Sequence, residues 1–251
     1  MKRFFIGLHH PTDCWPFLRC MVSVNVLRER KRDFRVNGWI MDSGAFTELS
    51  THGRYRFNVE EYVSQIDRWR HCGQLQAAVS QDYMCEPFIL QKTGLTVQDH
   101  QNLTIERYRE IKQWIDQVYI MPVIQGFEPD SYASHVRQYG SLLEPNQWVG
   151  VGSVCKRNGN PDAVEDVLLA IKTQRPDLRL HGFGLKKTAI LRPTVRAMLY
   201  SADSMAWSFQ GRMDDENAND PRLALEYAAE IEMLTGEPSF VQDQLFNWWV
   251  P

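Results

Sequence analysis

The chain has 251 residues, 43% of them hydrophobic and 12% aromatic, with a formal net charge of −3. That is enough apolar material for one large α/β barrel or two small domains, and it excludes a disordered chain. So small a charge argues against a protein that coats nucleic acid non-specifically, while leaving room for a local basic patch. Met1-Lys2-Arg3 runs into an apolar segment too short for a signal peptide, because His9, His10 and Asp13 interrupt it. No stretch approaches ~20 uninterrupted apolar residues, so a cytoplasmic protein without a membrane span is expected. The five cysteines (Cys14, Cys20, Cys72, Cys85 and Cys155) are scattered and form no CxxC pair, which reads as reduced thiols.

In chain order, RFFIGL at 3–8 is a first strand, followed by the loop HHPTDCWP. Residues 22–27 fit either a second strand or a helical turn. The next segment, LRERKRDFR, holds Arg28, Arg30, Lys31, Arg32 and Arg35. It is either a solvated helix face or a patch that contacts nucleic-acid phosphates. GWIMDSGAFT at 38–47 is an apolar run that ends on Asp42, Ser43 and Gly44, the pattern of a buried parallel strand whose tip reaches a cavity. Asn58 then caps a helix in which Val59, Tyr62, Val63, Ile66 and Trp69 share a face and which Gly73 ends.

The same grammar repeats downstream. Strands are expected at 76–83, 119–126, 148–154 and 179–185, and helices at 96–116, 130–143, 161–173, 188–200 and 221–234. SADSMAWSF at 201–209 brings in Asp203, and the tail FNWWVP is apolar enough to dock. Seven or eight strand–helix units without a linker or repeat favour a single (β/α)8 TIM-type barrel over residues 1–251 rather than a doubly wound sheet. The active site of such a barrel sits at the C-terminal strand ends, where the polar residues fall.

Asp42 and Asp203 are the sharpest candidates, since two carboxylates at strand ends can divide attack and proton transfer between them. The plainer reading is that each closes a turn. Asp82 is an acceptor suited to the N–H edge of a purine, or else half of a salt bridge. Gln125 offers a donor and an acceptor to a base edge, and Gly126 permits close approach. Gly150, Gly152 and Ser153 would present backbone N–H groups. Phe46 stacks on a planar ligand or packs in the core, and His181 points into or out of the barrel according to its register. His9, His10, Cys14, Cys20, Cys85 and Cys155 raise the question of a metal, but their spacing fits no zinc pattern and no metal is expected. GFGLKK at 182–187 is not a phosphate loop of either common kind.

Taken in order, DSGAF at 42–46, QDY around Asp82, VIQG at 123–126, VGVGS at 149–153, HGFG at 181–184 and ADSMAWS at 202–208 resemble the tRNA-guanine transglycosylase superfamily. The compact length and the phrases CEPF and VGVGSVCKRNG look most like its DpdA-type members, which place 7-deazaguanines in DNA. The resemblance implies that Asp203 is the nucleophile and Asp42 the proton-transfer group. It implies further that Ser43, Phe46, Asp82, Gln125, Gly126, Gly152, Ser153 and His181 form the base pocket. An ungapped register against the bacterial enzymes would instead set Ala206 at the nucleophile position. No cysteine follows Cys155, so the zinc subdomain of the tRNA enzymes is missing, and Thr47 replaces their glutamine.

The reaction so implied exchanges guanine for a 7-deazaguanine base of the preQ0 type in DNA, or alternatively RNA, through a covalent glycosyl-aspartate. It needs no cofactor, and its partners are the polymer and the free base, with a homodimer as one open assembly. The rivals are an N-glycosidase that hydrolyses a purine base or nucleoside, and a non-catalytic nucleic-acid-binding barrel subunit.

Overall fold

The first strand, β1 (Arg3–Gly7), sends Phe4 and Ile6 to one side and Phe5 to the other. A two-residue period with both faces apolar is what a parallel sheet covered on both sides requires. The pattern recurs in β2 (Arg19–Ser23), β3 (Gly38–Asp42) and β4 (Gln74–Val79). It continues through β5 (Ile120–Met121), β6 (Val123–Ile124), β7 (Trp148–Val151), β8 (Arg179–Gly182) and β9 (Leu199–Ser204). The computed structural model describes residues 1–157, 159–213 and 217–241.

Every strand pairing in the sheet is parallel, in the order β5-β4-β3-β2-β1-β9-β8-β7-β6. Its two ends, β5 and β6, are separated in the chain only by Pro122. They are halves of one strand: Met121 and Val123 face inward while Ile120 and Ile124 face outward, so the alternation runs unbroken through the proline. Pro122 has no N–H to give to a ladder, which splits the strand. Its carbonyl still accepts from the N–H of Gly150 at 2.9 Å. The sheet therefore closes into an α/β TIM-type barrel.

Phe5, Met21, Ile40, Ala77, Val79, Met121 and Val123 fill the inside of the barrel. A larger apolar layer lies between strands and helices, and it includes Trp39, Tyr62, Trp69, Tyr108 and Tyr139. The expected helices appear at Val59–Trp69, Val97–Trp114, Pro129–Tyr139, Pro161–Gln174 and Pro221–Thr235. The segment 22–27 divides: Ser23 ends β2 and its side chain caps the short helix Val24–Leu27. The helix expected at 188–200 breaks into Lys187–Ile190 and Pro193–Met198, because Pro193 can neither donate nor let Arg192 stay helical. Two helices after strand ends, Ala45–His52 and Pro87–Thr93, were not expected, being too short for their periodicity to register. The apolar tail at 246–251 lies outside the described residues. Among those described, no helix is long and apolar enough to cross a membrane.

Ile40 is fully buried inside the barrel, whereas Leu169 is 55% exposed on the outer face of its helix. Ile40→Ala should cost about 2–5 kcal/mol of stability in urea denaturation. Leu169→Ala should stay within about 0.5 kcal/mol of the parent.

Candidate active site

Five strand ends and the turns that follow them deliver polar groups to one cavity of about 390 Å³ at the C-terminal end of the barrel. Asp42, Asp82, Gln125, Ser153 and Asp203 line it together with apolar walls that include Met21, Phe46, Met84, Phe183 and Met205. A larger basin of about 850 Å³ opens at the opposite end, around Arg3, Arg19, Trp148, Arg179 and Tyr200, and holds none of these carboxylates.

Asp42 ends β3. Its Oδ2 accepts from the N–H of Gly44 at 3.0 Å. Gly44 has φ 75°, in the left-handed region, and starts the helix Ala45–His52. Glycine takes that conformation without strain, and a side chain there would also run into Asn25. Burial is the main cause that raises the Asp42 carboxyl from 3.8 to about 6. The N–H of Gly44 opposes the rise, and the nearby charge of Asp203 adds to it.

Asp82 lies three residues beyond β4 and is buried. The hydroxyl of Tyr55 donates to its carbonyl at 2.9 Å, and Ser43 Oγ donates to Oδ1 at 3.4 Å. Gln125 Nε2 donates to Oδ2. The other end of that amide, Oε1, accepts from Ser153 Oγ at 2.9 Å, and Ser153 Oγ in turn accepts from the N–H of Cys85 at 3.2 Å. Because the hydroxyl of Ser153 receives from a backbone N–H, its own proton goes to Gln125, which fixes which way the amide faces. Burial pushes Asp82 up to about 7, with the charges of Asp42 and Glu86 adding and the Gln125 bond opposing.

The backbone of Gln125 is clamped from behind. Its N–H donates to His135 Nδ1 at 2.8 Å, and its carbonyl accepts from Gln101 Nε2 at 2.8 Å. Burial lowers His135 to about 3, so the ring is neutral and Nδ1 is free to accept. Neither residue was singled out from the sequence, because a polar residue on the buried face of a helix leaves no apolar periodicity to mark it.

Asp203 sits in β9 opposite Phe5 of β1. Its Oδ1 accepts from the N–H of Gly184 at 3.1 Å and pairs with His181 Nε2 at 3.2 Å. Asp203 stands on the cavity wall, and Ala206 begins the helix Ala206–Met213.

Several sequence expectations are placed differently. His181 is fully buried behind Asp203 and does not line the cavity. Ser43 is likewise buried and does not line the cavity, which it meets through its partners Asp82 and Asp42. Gly126 packs against Ser131 and Tyr132, where a Cβ would not fit, rather than facing a ligand. The N–H groups of Gly150 and Gly152 are spent in the sheet, on Pro122 and Ile124. What Gly152 contributes is room, since a Cβ there would overlap the Gln125 amide. Ser153, at φ 59°, is one of two non-glycine residues with positive φ among those described. Such a conformation in a residue other than glycine marks a constrained position.

The basic stretch is not gathered at the mouth. Arg28 pairs with Glu61 at 3.1 Å and lies over Phe57. Arg30 donates to the carbonyl of Asp33. The chain from Lys31 to Arg35 descends toward the N-terminal end of β3: Arg68, in the last turn of its helix, donates to the carbonyl of Lys31, and Arg35 stacks on Trp15. Lys31, Arg32 and Arg35 are exposed there, away from the cavity. Elsewhere, Arg157 lies over Phe127 at 4.8 Å and Lys186 over Phe209 at 4.6 Å.

Of the residues that raised the metal question, His9 bonds to Ser208 Oγ, and the Cys20 thiol donates to the carbonyl of Cys14. Among the described residues the one group of three potential ligands in mutual reach is Asp33, His71 and Cys72, on the far end of the barrel. There, Asp33 already pairs with Arg68 and His71.

A carboxyl that titrates near 7 in the fold but near 3.8 in an unfolded chain holds its proton more tightly when folded. Stability is therefore present below pH 4 and is lost as the pH rises toward 7. Asp82→Asn, which keeps the acceptor for Gln125, should raise stability at pH 8 by on the order of 2 kcal/mol over the parent. The gap should close near pH 4, as read from paired urea denaturation curves.

No curated protein matches the chain. The family model described as DpdA, DeoxyPurine in DNA protein A, matches residues 1–224, and the chain belongs to that family.

Proposed function

We propose that this protein is a transglycosylase that exchanges guanine in DNA for a 7-deazaguanine base of the preQ0 type, through a covalent bond between the sugar and Asp203. The observation that carries this reading is that Asp42 and Asp203 wall one apolar cavity whose base-edge side is closed by the Asp82–Gln125–Ser153 network. The family description, which places the modified purine in DNA, favours DNA over RNA as the polymer.

A guanine leaves the duplex at a cost of a few kcal/mol and enters the cavity. Its N1–H and N2–H donors face Asp82, and they favour the ionised form of a carboxyl that burial alone pushes up. Asp203 attacks C1′ as the C1′–N9 bond breaks, and the bonding pair leaves with the base. Asp42, protonated, gives its proton to the departing guanine. A 7-deazaguanine then takes the vacated place, returns a proton from its N9 to Asp42, and attacks C1′, releasing the Asp203 carboxylate. The two displacements exchange one base for the other and regenerate both acids in their starting forms. A value of about 6 suits Asp42 to both transfers near neutral pH. The apolar walls keep water from taking the place of the incoming base.

Asp203→Asn should abolish exchange and the covalent adduct. Asp42→Asn should slow exchange by about 10²–10⁴-fold and remove the fall in rate that is expected of the parent above pH 6. Mass spectrometry of nucleosides from DNA and from RNA, each incubated with the protein and preQ0, reads both. Exchange that survives in Asp203→Asn would overturn the mechanism. Abasic sites without incorporation would make water the acceptor and the protein a glycosidase.

A further inference from the structure

On β9, Ser201 and Asp203 are two residues apart and so face the same way, into the barrel. On the neighbouring strand β8, His181 is in register with Ser201 and its ring lies between the two side chains. His181 Nδ1 is 2.8 Å from Ser201 Oγ and Nε2 is 3.2 Å from Asp203 Oδ1. Across the barrel floor, Trp148 Nε1 donates to the same Ser201 Oγ at 2.7 Å. The ring of His181 is held by aromatic contacts with Phe5 (5.9 Å), Trp148 (6.0 Å) and Phe183 (4.9 Å), and it is fully buried.

The direction of every proton in this chain follows from its first member. An indole N–H is a donor only, so Ser201 Oγ accepts from Trp148. Were Ser201 to accept from His181 as well, its own hydroxyl proton would be left in a buried place, with no other partner among the described residues. The serine proton therefore goes to His181 Nδ1. That leaves the ring neutral with its hydrogen on Nε2, pointed at Asp203. Asp203 Oδ1 thus receives two donors, the imidazole and the N–H of Gly184, while Oδ2 has no partner among the described residues.

We infer that Trp148, Ser201 and His181 form a positioning relay that locks His181 as its Nε2–H tautomer and so turns Oδ2 of Asp203 toward the sugar as the attacking oxygen. The relay rests on the reading of Asp203 as nucleophile, and none of its three members touches substrate. The opposite tautomer would set the lone pair of Nε2 against the carboxylate and turn it away from the attacking geometry. A buried base held in one tautomer by a partner on its far side is a general way to orient a catalytic group. Here the partner is an indole at the barrel floor rather than an acid.

The experiment is long-range ¹H–¹⁵N correlation spectroscopy on ¹⁵N-histidine-labelled protein without DNA, with His181 assigned by its loss in His181→Gln. The parent should show the Nε2–H pattern. Trp148→Phe removes the indole donor, frees Ser201 to accept from Nδ1, and should give a mixture of tautomers. In exchange assays with preQ0, that variant and Ser201→Ala should lose roughly 10–100-fold in kcat with KM for DNA unchanged. An Nδ1–H or doubly protonated ring in the parent would overturn the relay, as would a tautomer unmoved in a folded Trp148→Phe. Because the spectrum needs no turnover, an Nε2–H ring in a protein without exchange activity would leave the tautomer lock standing and sink the transglycosylase reading together with the attacking role of Oδ2.

Discussion

Three carboxylates, those of Asp42, Asp82 and Asp203, share one apolar-walled cavity, and like charges so enclosed repel through a medium that screens them poorly. Everything around the cavity decides which of them keeps its charge. Asp42 has the N–H of Gly44 as a counterweight to burial and to the charge of Asp203, and titrates near 6. Asp82 has the amide of Gln125 against burial and two neighbouring acids, and titrates near 7. Asp203 receives a backbone N–H and an imidazole on a single oxygen. The three groups are chemically alike and are made different by what donates to them, which is what the proposed division into nucleophile, proton carrier and base reader requires.

The donors are placed by the barrel rather than by local sequence. Closure through Pro122 brings β6 beside β7, so that Gln125 and Ser153, 28 residues apart, meet over Gly152. The helix Val97–Trp114 contributes Gln101, and the helix Pro129–Tyr139 contributes His135, to hold the Gln125 backbone from outside. Thr104, on the first of these helices, accepts from the N–H of Tyr83 beside Asp82. The outer layer is thus continuous with the site: a shift of either helix would move the Gln125 amide on the cavity wall.

Much of this was legible in advance because it depends on short-range rules. Apolar runs that end on a polar residue marked the strands and the end of the barrel at which chemistry sits, since both faces of a parallel strand are buried while its tip is not. The cap Asn58 marked a helix start, its side chain accepting the N–H three residues on. The glycine of DSGAF is intelligible from its positive φ, and that of VGVGS from the amide lying on it. Short helices were missed where fewer than three turns gave no periodicity to detect, as at Ala45–His52 and Pro87–Thr93.

The parallel α/β barrel and the carboxylates at its strand ends follow from the chain alone, because alternation and strand–helix succession are local properties that any parallel sheet must respect. The sequence could not say which way a polar side chain is answered. The register that left His181 open between pointing in and pointing out is settled beside Ser201, behind Asp203, and most of the basic run at 28–35, read as either a solvated face or a binding patch, lies toward the far end. Those outcomes depend on partners brought together from distant segments: Trp148 and Ser201 are 53 residues apart, His181 and Asp203 are 22. Hydrogen-bond direction and burial are properties of such encounters, and only the closed barrel decides them.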